Sequence, residues 1–132
     1  MPASQNFVMA KGRNAGGAIT KKRFVKIDPT DTTGQTVIQC DTAGEGAYGV
    51  SLFGVTLAEI DKGKGASVMT DGRAIVEQGA ALAVGDLVAT DNQGRAVAAA
   101  AGNNILGMVD ELTNSGAGNE CGVDLSKGGG VA

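Results

Sequence analysis

The stretch Asp86-Leu87-Val88-Ala89-Thr90-Asp91-Asn92-Gln93-Gly94-Arg95-Ala96-Val97-Ala98-Ala99 sets the reading of the fold. Two short apolar runs flank Asp91-Asn92-Gln93-Gly94, a set of residues that suits a reversal of the chain. The segment therefore predicts a β-hairpin. A second such signal lies upstream. Ser67-Val68-Met69 and Arg73-Ala74-Ile75-Val76 flank Thr70-Asp71-Gly72, and an Asp-Gly pair between apolar runs also predicts a hairpin. Working outward, Ile19 to Asp28, Thr36 to Cys40, Tyr48 to Leu57, Ile105 to Leu112 and Cys121 to Leu125 read as strands. Asp28 to Gly34, Asp61 to Gly65 and residues 113–119 read as turns or loops. Helical periodicity is weak. Val55 to Ile60 predicts at most a turn or two, and Ala96 to Ala101, despite its alanines, sits between a turn and Gly102 and reads as strand. Short strands joined by glycine-centred turns predict an all-β fold, a small β-barrel or β-sandwich.

The turn pattern has an echo. Ala18-Ile19, Phe24-Val25 and Asp28 match Ala81-Leu82, Leu87-Val88 and Asp91 at an offset of 63 residues. Gly44 and Gly49-Val50 match Gly102 and Gly107-Met108 at an offset of 58. One reading is an internal duplication of a five-element β-unit. The other is coincidence in a chain with 22 glycines, where short Gly and Val patterns recur.

The 132 residues suit one domain. Three Phe, one Tyr and no Trp mean that the core must be built from Val, Ile, Leu and Ala. Residues 1–17 read as an extended N-terminal arm, polar apart from Phe7, Val8 and Met9. Residues 18–126 form the β domain, and 127–132 a flexible tail. Charge is uneven. Residues 1–26 hold Lys11, Arg13, Lys21, Lys22, Arg23 and Lys26 and no acid, whereas residues 27–132 hold five basic and fourteen acidic groups, a net of −9. Two readings stand: a solvated face of the first strand, or a basic arm that docks on an acidic partner, with Phe7 and Val8 as apolar anchors.

Several kinds of chemistry are excluded. Histidine is absent, which removes the commonest general base and metal ligand. Cys40 and Cys121 are far apart and lack a metal-binding spacing, so both read as free core residues. The carboxylates are dispersed and resemble no calcium loop. Around Gly63-Lys64 the leading glycine of a phosphate loop is missing, with Ala58 and Glu59 in its place. No catalytic residue, metal or cofactor is expected. Nucleic-acid binding is not expected either, because Phe24 beside Lys21, Lys22 and Arg23 is the only basic-aromatic spot on an acidic chain. No apolar run of ~18 residues exists to span a membrane. The first 18 residues lack the apolar stretch of a secretory signal, which points to synthesis in a host cytoplasm.

From Gly16 onward the ordered features resemble a family of tailed-phage head decoration proteins. The resemblance is carried by Gly17-Ala18-Ile19-Thr20, Arg23-Phe24-Val25-Lys26, Ala43-Gly44, Tyr48-Gly49-Val50-Ser51-Leu52 and Gly63 to Val68. It continues through Asp71-Gly72, Ala74-Ile75-Val76, Gly85-Asp86-Leu87-Val88, Gly94-Arg95-Ala96 and Ile105-Leu106-Gly107-Met108-Val109. It implies a non-enzymatic capsid cement protein on the outer surface of the virion, commonly a homotrimer, that bridges subunits of the major capsid protein. It also implies attachment helped by an extended N-terminal segment, so Phe7, Val8, Lys11, Arg13, Lys21, Lys22, Arg23 and Lys26 are the candidate capsid-contacting residues. The alternative is a virion-displayed module that binds a host surface or carbohydrate. One Tyr and no Trp count against it, because such ligands are usually held on aromatics.

Overall fold

The computed structural model describes residues 10–132, with side chains described from Gly12 onward. The chain folds into two five-stranded units. In the first, β1 (Ala10–Ala15), β2 (Phe24–Ile27), β3 (Thr36–Gln39), β4 (Gly49–Ser51) and β5 (Ala66–Met69) close into a barrel in the order β1-β3-β2-β4-β5. In the second, β6 (Arg73–Glu77), β7 (Leu87–Thr90), β8 (Ala96–Ala98), β9 (Gly107–Leu112) and β10 (Glu120–Asp124) form a sheet in the order β6-β10-β9-β7-β8. One short helix, α1 (Leu57–Asp61), starts at Thr56 in a reciprocal cap with Glu59. It falls where the apolar run from Val55 to Ile60 predicts a turn or two of helix.

The echo in the sequence is an echo in the fold. Opened between β1 and β3, the barrel reads β1-β5-β4-β2-β3, and adding five to each strand number reproduces the second sheet. The barrel closes through a parallel ladder, Asn14 with Thr36 and Ala15 with Val37. The second sheet has the corresponding contact reduced to one parallel bridge, Gln78 with Ala96. The glycines recur for the same physical reason. A Cβ on Gly49 would meet the Val68 side chain and the Met69 carbonyl, and one on Gly107 would meet the Val123 side chain and the Asp124 carbonyl. Each position lets one strand approach the next more closely than a side chain allows. Gly44 and Gly102, at the matching corners, both have positive φ, 78° and 87°.

The core explains why so little aromatic surface suffices. Val25, Val37 and Val68 fill the barrel interior with Ala15, Ile19 and Val55. Phe24, Val50 and Met69, paired across β2, β4 and β5, belong instead to the cluster of Val76, Val88, Val109 and Val123 of the second unit. Strands β2 and β5 thus bury neighbouring apolar residues on opposite faces, Phe24 with Val25 and Val68 with Met69, so the apolar-polar alternation of a half-exposed strand is lost there. Each fully buried Val contributes about 1.5–3 kcal/mol, so many small side chains do the work of a few large ones.

Two expectations need correction. The runs around Asp71-Gly72 do not pair with each other. Strand β5 stays in the barrel with β1 and β4, while β6 pairs with β10, so the turn carries the chain from one unit to the other. The hairpin predicted over residues 86–99 does form, as β7 with β8. Residues 10–15, read as part of the arm, are strand β1, antiparallel to β5 and parallel to β3. Its polar composition hid it, because the pairing partners come from distant parts of the chain. Phe7 and Val8 lie outside the described residues. Residues 127–132 make backbone hydrogen bonds to the segment 102–105. Lys127 ends a 3₁₀ turn, the Gly102 N–H donates to the Ala132 carbonyl, and the Ala132 and Gly129 N–H groups donate to the Asn103 and Ile105 carbonyls.

Candidate functional site

The basic residues of the N-terminal quarter go to different places. Strand β1 carries Lys11 and Arg13. The Arg13 guanidinium lies 5.2 Å from the centre of the Tyr48 ring and donates to its hydroxyl at 2.7 Å. Lys21 is exposed and takes part in none of the ion pairs among the described residues.

Lys22 and Arg23 join the two units. Lys22 has a positive φ of 61°, unusual for a residue with a side chain. In that conformation its N–H donates to Ser51 while its carbonyl accepts from the Glu77 N–H, and its ammonium pairs with Glu120. Arg23 donates to the Gln93 carbonyl at 2.9 Å and to the Glu77 carboxylate at 3.1 Å. Gln39 donates to the same Gln93 carbonyl, and the Phe24 N–H donates to Gly94. The β7–β8 turn is therefore clamped onto the barrel by β2 and β3.

Lys26 sits between Asp41 at 2.8 Å and Glu45 at 2.7 Å. Hydrogen bonds to Asp41 and then Glu45 hold its ammonium above its ordinary pKa, and Lys26 in turn holds the Asp41 carboxyl low. Surface ion pairs that water still reaches contribute only about 0–1 kcal/mol each. They nevertheless occupy the charges, so Lys22, Arg23 and Lys26 do not present a bare basic surface. Sequence reasoning found the cluster but not its partners, because Glu77 and Glu120 reach it only through the second unit.

The two thiols are core atoms. Cys40 and Cys121 are free and buried, and burial pushes them up to about 12 and about 11 respectively. At neutral pH both remain protonated and poorly nucleophilic. Among the described residues no group of three or more Cys, Asp or Glu side chains is placed to hold a metal ion. The described aromatics also offer no platform for a sugar: Phe24 is buried, Tyr48 is engaged by Arg13, and Phe53 stands exposed by itself.

A surface that sequence reasoning missed lies where the units meet. Phe53 and Ile75 are exposed, and with Leu52 and Met69 they line a groove of about 740 Å³. Its charged margin includes Lys22, Arg73, Asp110 and Glu111. Phe53 follows Ser51-Leu52 at the end of β4, so an apolar residue beyond a strand end was the available signal.

Comparisons with known proteins agree with this architecture. The fold is similar to the crystal structure of the head fiber gp8.5 N base of bacteriophage phi29, with a TM-score of 0.69, 14% sequence identity, and coverage of 93% of this chain and 98% of that one. At that identity the likeness concerns the fold alone. No curated relative matches the chain in sequence. The phage cement protein family model matches residues 13–125, from β1 through β10, and bears out the reading of a non-enzymatic structural protein. The chain belongs to the phage cement protein family.

Proposed function

We propose that this protein binds the outer surface of a tailed-phage head and stabilises it by bridging neighbouring subunits of the major capsid protein. The observation that carries the proposal is the family match across both β-units. The compact double unit suits such a role, since a clamp must keep its shape under load. The units share one apolar core and are cross-tied by Lys22, Arg23, Glu77 and Glu120.

The N-terminal segment supplies part of the attachment. Phe7 and Val8 provide apolar anchors, and Lys11 and Lys21 provide charge toward an acidic patch repeated over the shell. Arg13, Lys22, Arg23 and Lys26 contribute indirectly, by holding the body together through Tyr48, Glu77, Glu120, Asp41 and Glu45. On the head the protein is a trimer, with exposed Leu57, Val84 and Leu87 available for contacts between copies. Repetition of sites over the shell adds avidity to each weak contact.

The test compares the parent with two variants on expanded, undecorated heads at low and moderate salt. One variant lacks residues 1–9, and the other has Lys11 and Lys21 changed to Ser. Lower occupancy of both, with a steeper salt dependence for the parent than for the lysine variant, is the expected result. Undiminished occupancy at every salt concentration would show that the segment is not an attachment element.

A further inference from the structure

The groove where the units meet is bounded by a strand edge. One side of it is β6, an edge strand whose only ladder among the described residues is with β10. In an antiparallel ladder successive residues point their N–H and C=O groups to opposite sides. The Gln78 N–H goes to Asn119 on the β10 side, and the Glu77 N–H goes the other way, to the Lys22 carbonyl. Counting back in twos, Ile75 and Arg73 present their backbone groups on the side away from β10, beside the groove they line. An open edge with an exposed Ile at its middle is normally guarded, because it templates the pairing of another strand.

The side chains agree with the backbone. Phe53 is 60% exposed and Ile75 38%, so apolar surface faces the open edge from both units. The charge around it is acidic. Arg73 stands 3.0 Å from Asp110 and 3.7 Å from Glu111, one cation for two carboxylates, and Lys22 is matched by Glu120. Asp124 adds a further negative group to the groove. An occupant with a Lys or Arg is therefore favoured. The residue with unusual backbone conformation, Lys22, lies at the same place, and such conformations concentrate at working surfaces.

We propose that this groove receives an extended segment of the capsid shell protein, which adds as a strand to β6. The segment places an apolar side chain against Phe53 and Ile75 and a basic one toward Glu111 and Asp124. This is strand addition, in which backbone bonds give affinity and alternate side chains give specificity. It rests on the cement reading and adds a second contact, distinct from the N-terminal segment.

The experiment uses the full-length protein with the photoreactive residue benzoylphenylalanine in place of Phe53, bound to heads and irradiated. The expected product is a cross-link to the shell protein. Two variants accompany it. Phe53→Ser removes an exposed side chain, and Ile75→Pro removes the outward N–H while leaving the β10 ladder intact. Each lowers apparent affinity for heads by about five- to tenfold, the scale of one lost contact, with unfolding curves like the parent's. A cross-link only to a second copy of this chain, no cross-link from fully decorated heads, or parental affinity of Phe53→Ser overturns the proposal. Failure of the parent itself to bind heads would instead overturn the cement reading beneath it.

Discussion

A Cβ added to Gly79 would lie 2.5 Å from the Asp91 carboxylate, and one added to Gly16, its counterpart in the first unit, 3.1 Å from Asp28. In each unit the strand that opens the repeat passes against the aspartate of the following hairpin turn. Asp91 cannot give way easily, because it accepts from the N–H groups of Gln93 and Arg95 and from the Arg95 guanidinium. Gly79→Ala should therefore destabilise the protein by about 1–3 kcal/mol, in the range of overpacking. Urea unfolding of Gly79→Ala beside the parent measures it. Equal midpoints would show that the turn is softer than this contact implies.

Gln78 is fully buried, and its side chain serves the loop before β10. It donates to the Asn114 and Glu120 carbonyls and accepts from the Gly116 N–H. Gln78→Leu keeps the bulk but strips these three groups of their partner. A loss of about 2–4 kcal/mol is expected, from buried groups left unsatisfied. Thermal unfolding reads the loss, and hydrogen exchange at Gly116 should speed up in the same variant.

How much of this was legible in the sequence depends on where the partners lie. The hairpin at residues 86–99 could be read because both strands and their turn are contiguous. The turn at Asp71-Gly72 was also legible, but not that its two strands join different sheets, since β10 competes for β6 from nearly fifty residues away. Strand β1 was invisible because nothing in Gly12-Arg13-Asn14 is apolar, and the pairing with β5 and β3 creates it. The echo could be read because its markers, Asp28 with Asp91 and Gly49 with Gly107, are demanded locally by turns and close strands. The basic cluster stood out, but its use as a cross-tie depended on Glu77 and Glu120, and the groove is assembled from several elements at once.

The acid side of the stability profile has a defined sign. Hydrogen bonds from Thr33 hold the Asp31 carboxyl at about 2, below its usual value of 3.8, and Lys26 lowers Asp41. Carboxyls lowered by folding contribute stability that is full above pH 3.8 and is lost as pH falls through their folded values. Stability should therefore decline between about pH 4 and pH 2. Asp31→Asn should flatten that decline, as urea midpoints across this range would show. A parental slope in the variant would contradict the assignment.

The thiols predict the alkaline side. Folding raises both Cys40 and Cys121 above the ordinary 9.0, so their contribution is full below pH 9 and fades as pH rises toward about 11 to 12. At pH 8 the native protein should react very slowly with a thiol reagent, and two thiols should appear at once in denaturant. Rapid native labelling of either would show that the core opens readily.

The central claim is that the protein cements a phage head. It is tested most directly by the temperature at which expanded heads of the encoding phage release their DNA, measured as purified protein is added. A cement protein raises that temperature and stops raising it once the surface sites are filled. Heads that bind the protein to saturation and still release their DNA at the undecorated temperature would contradict the claim.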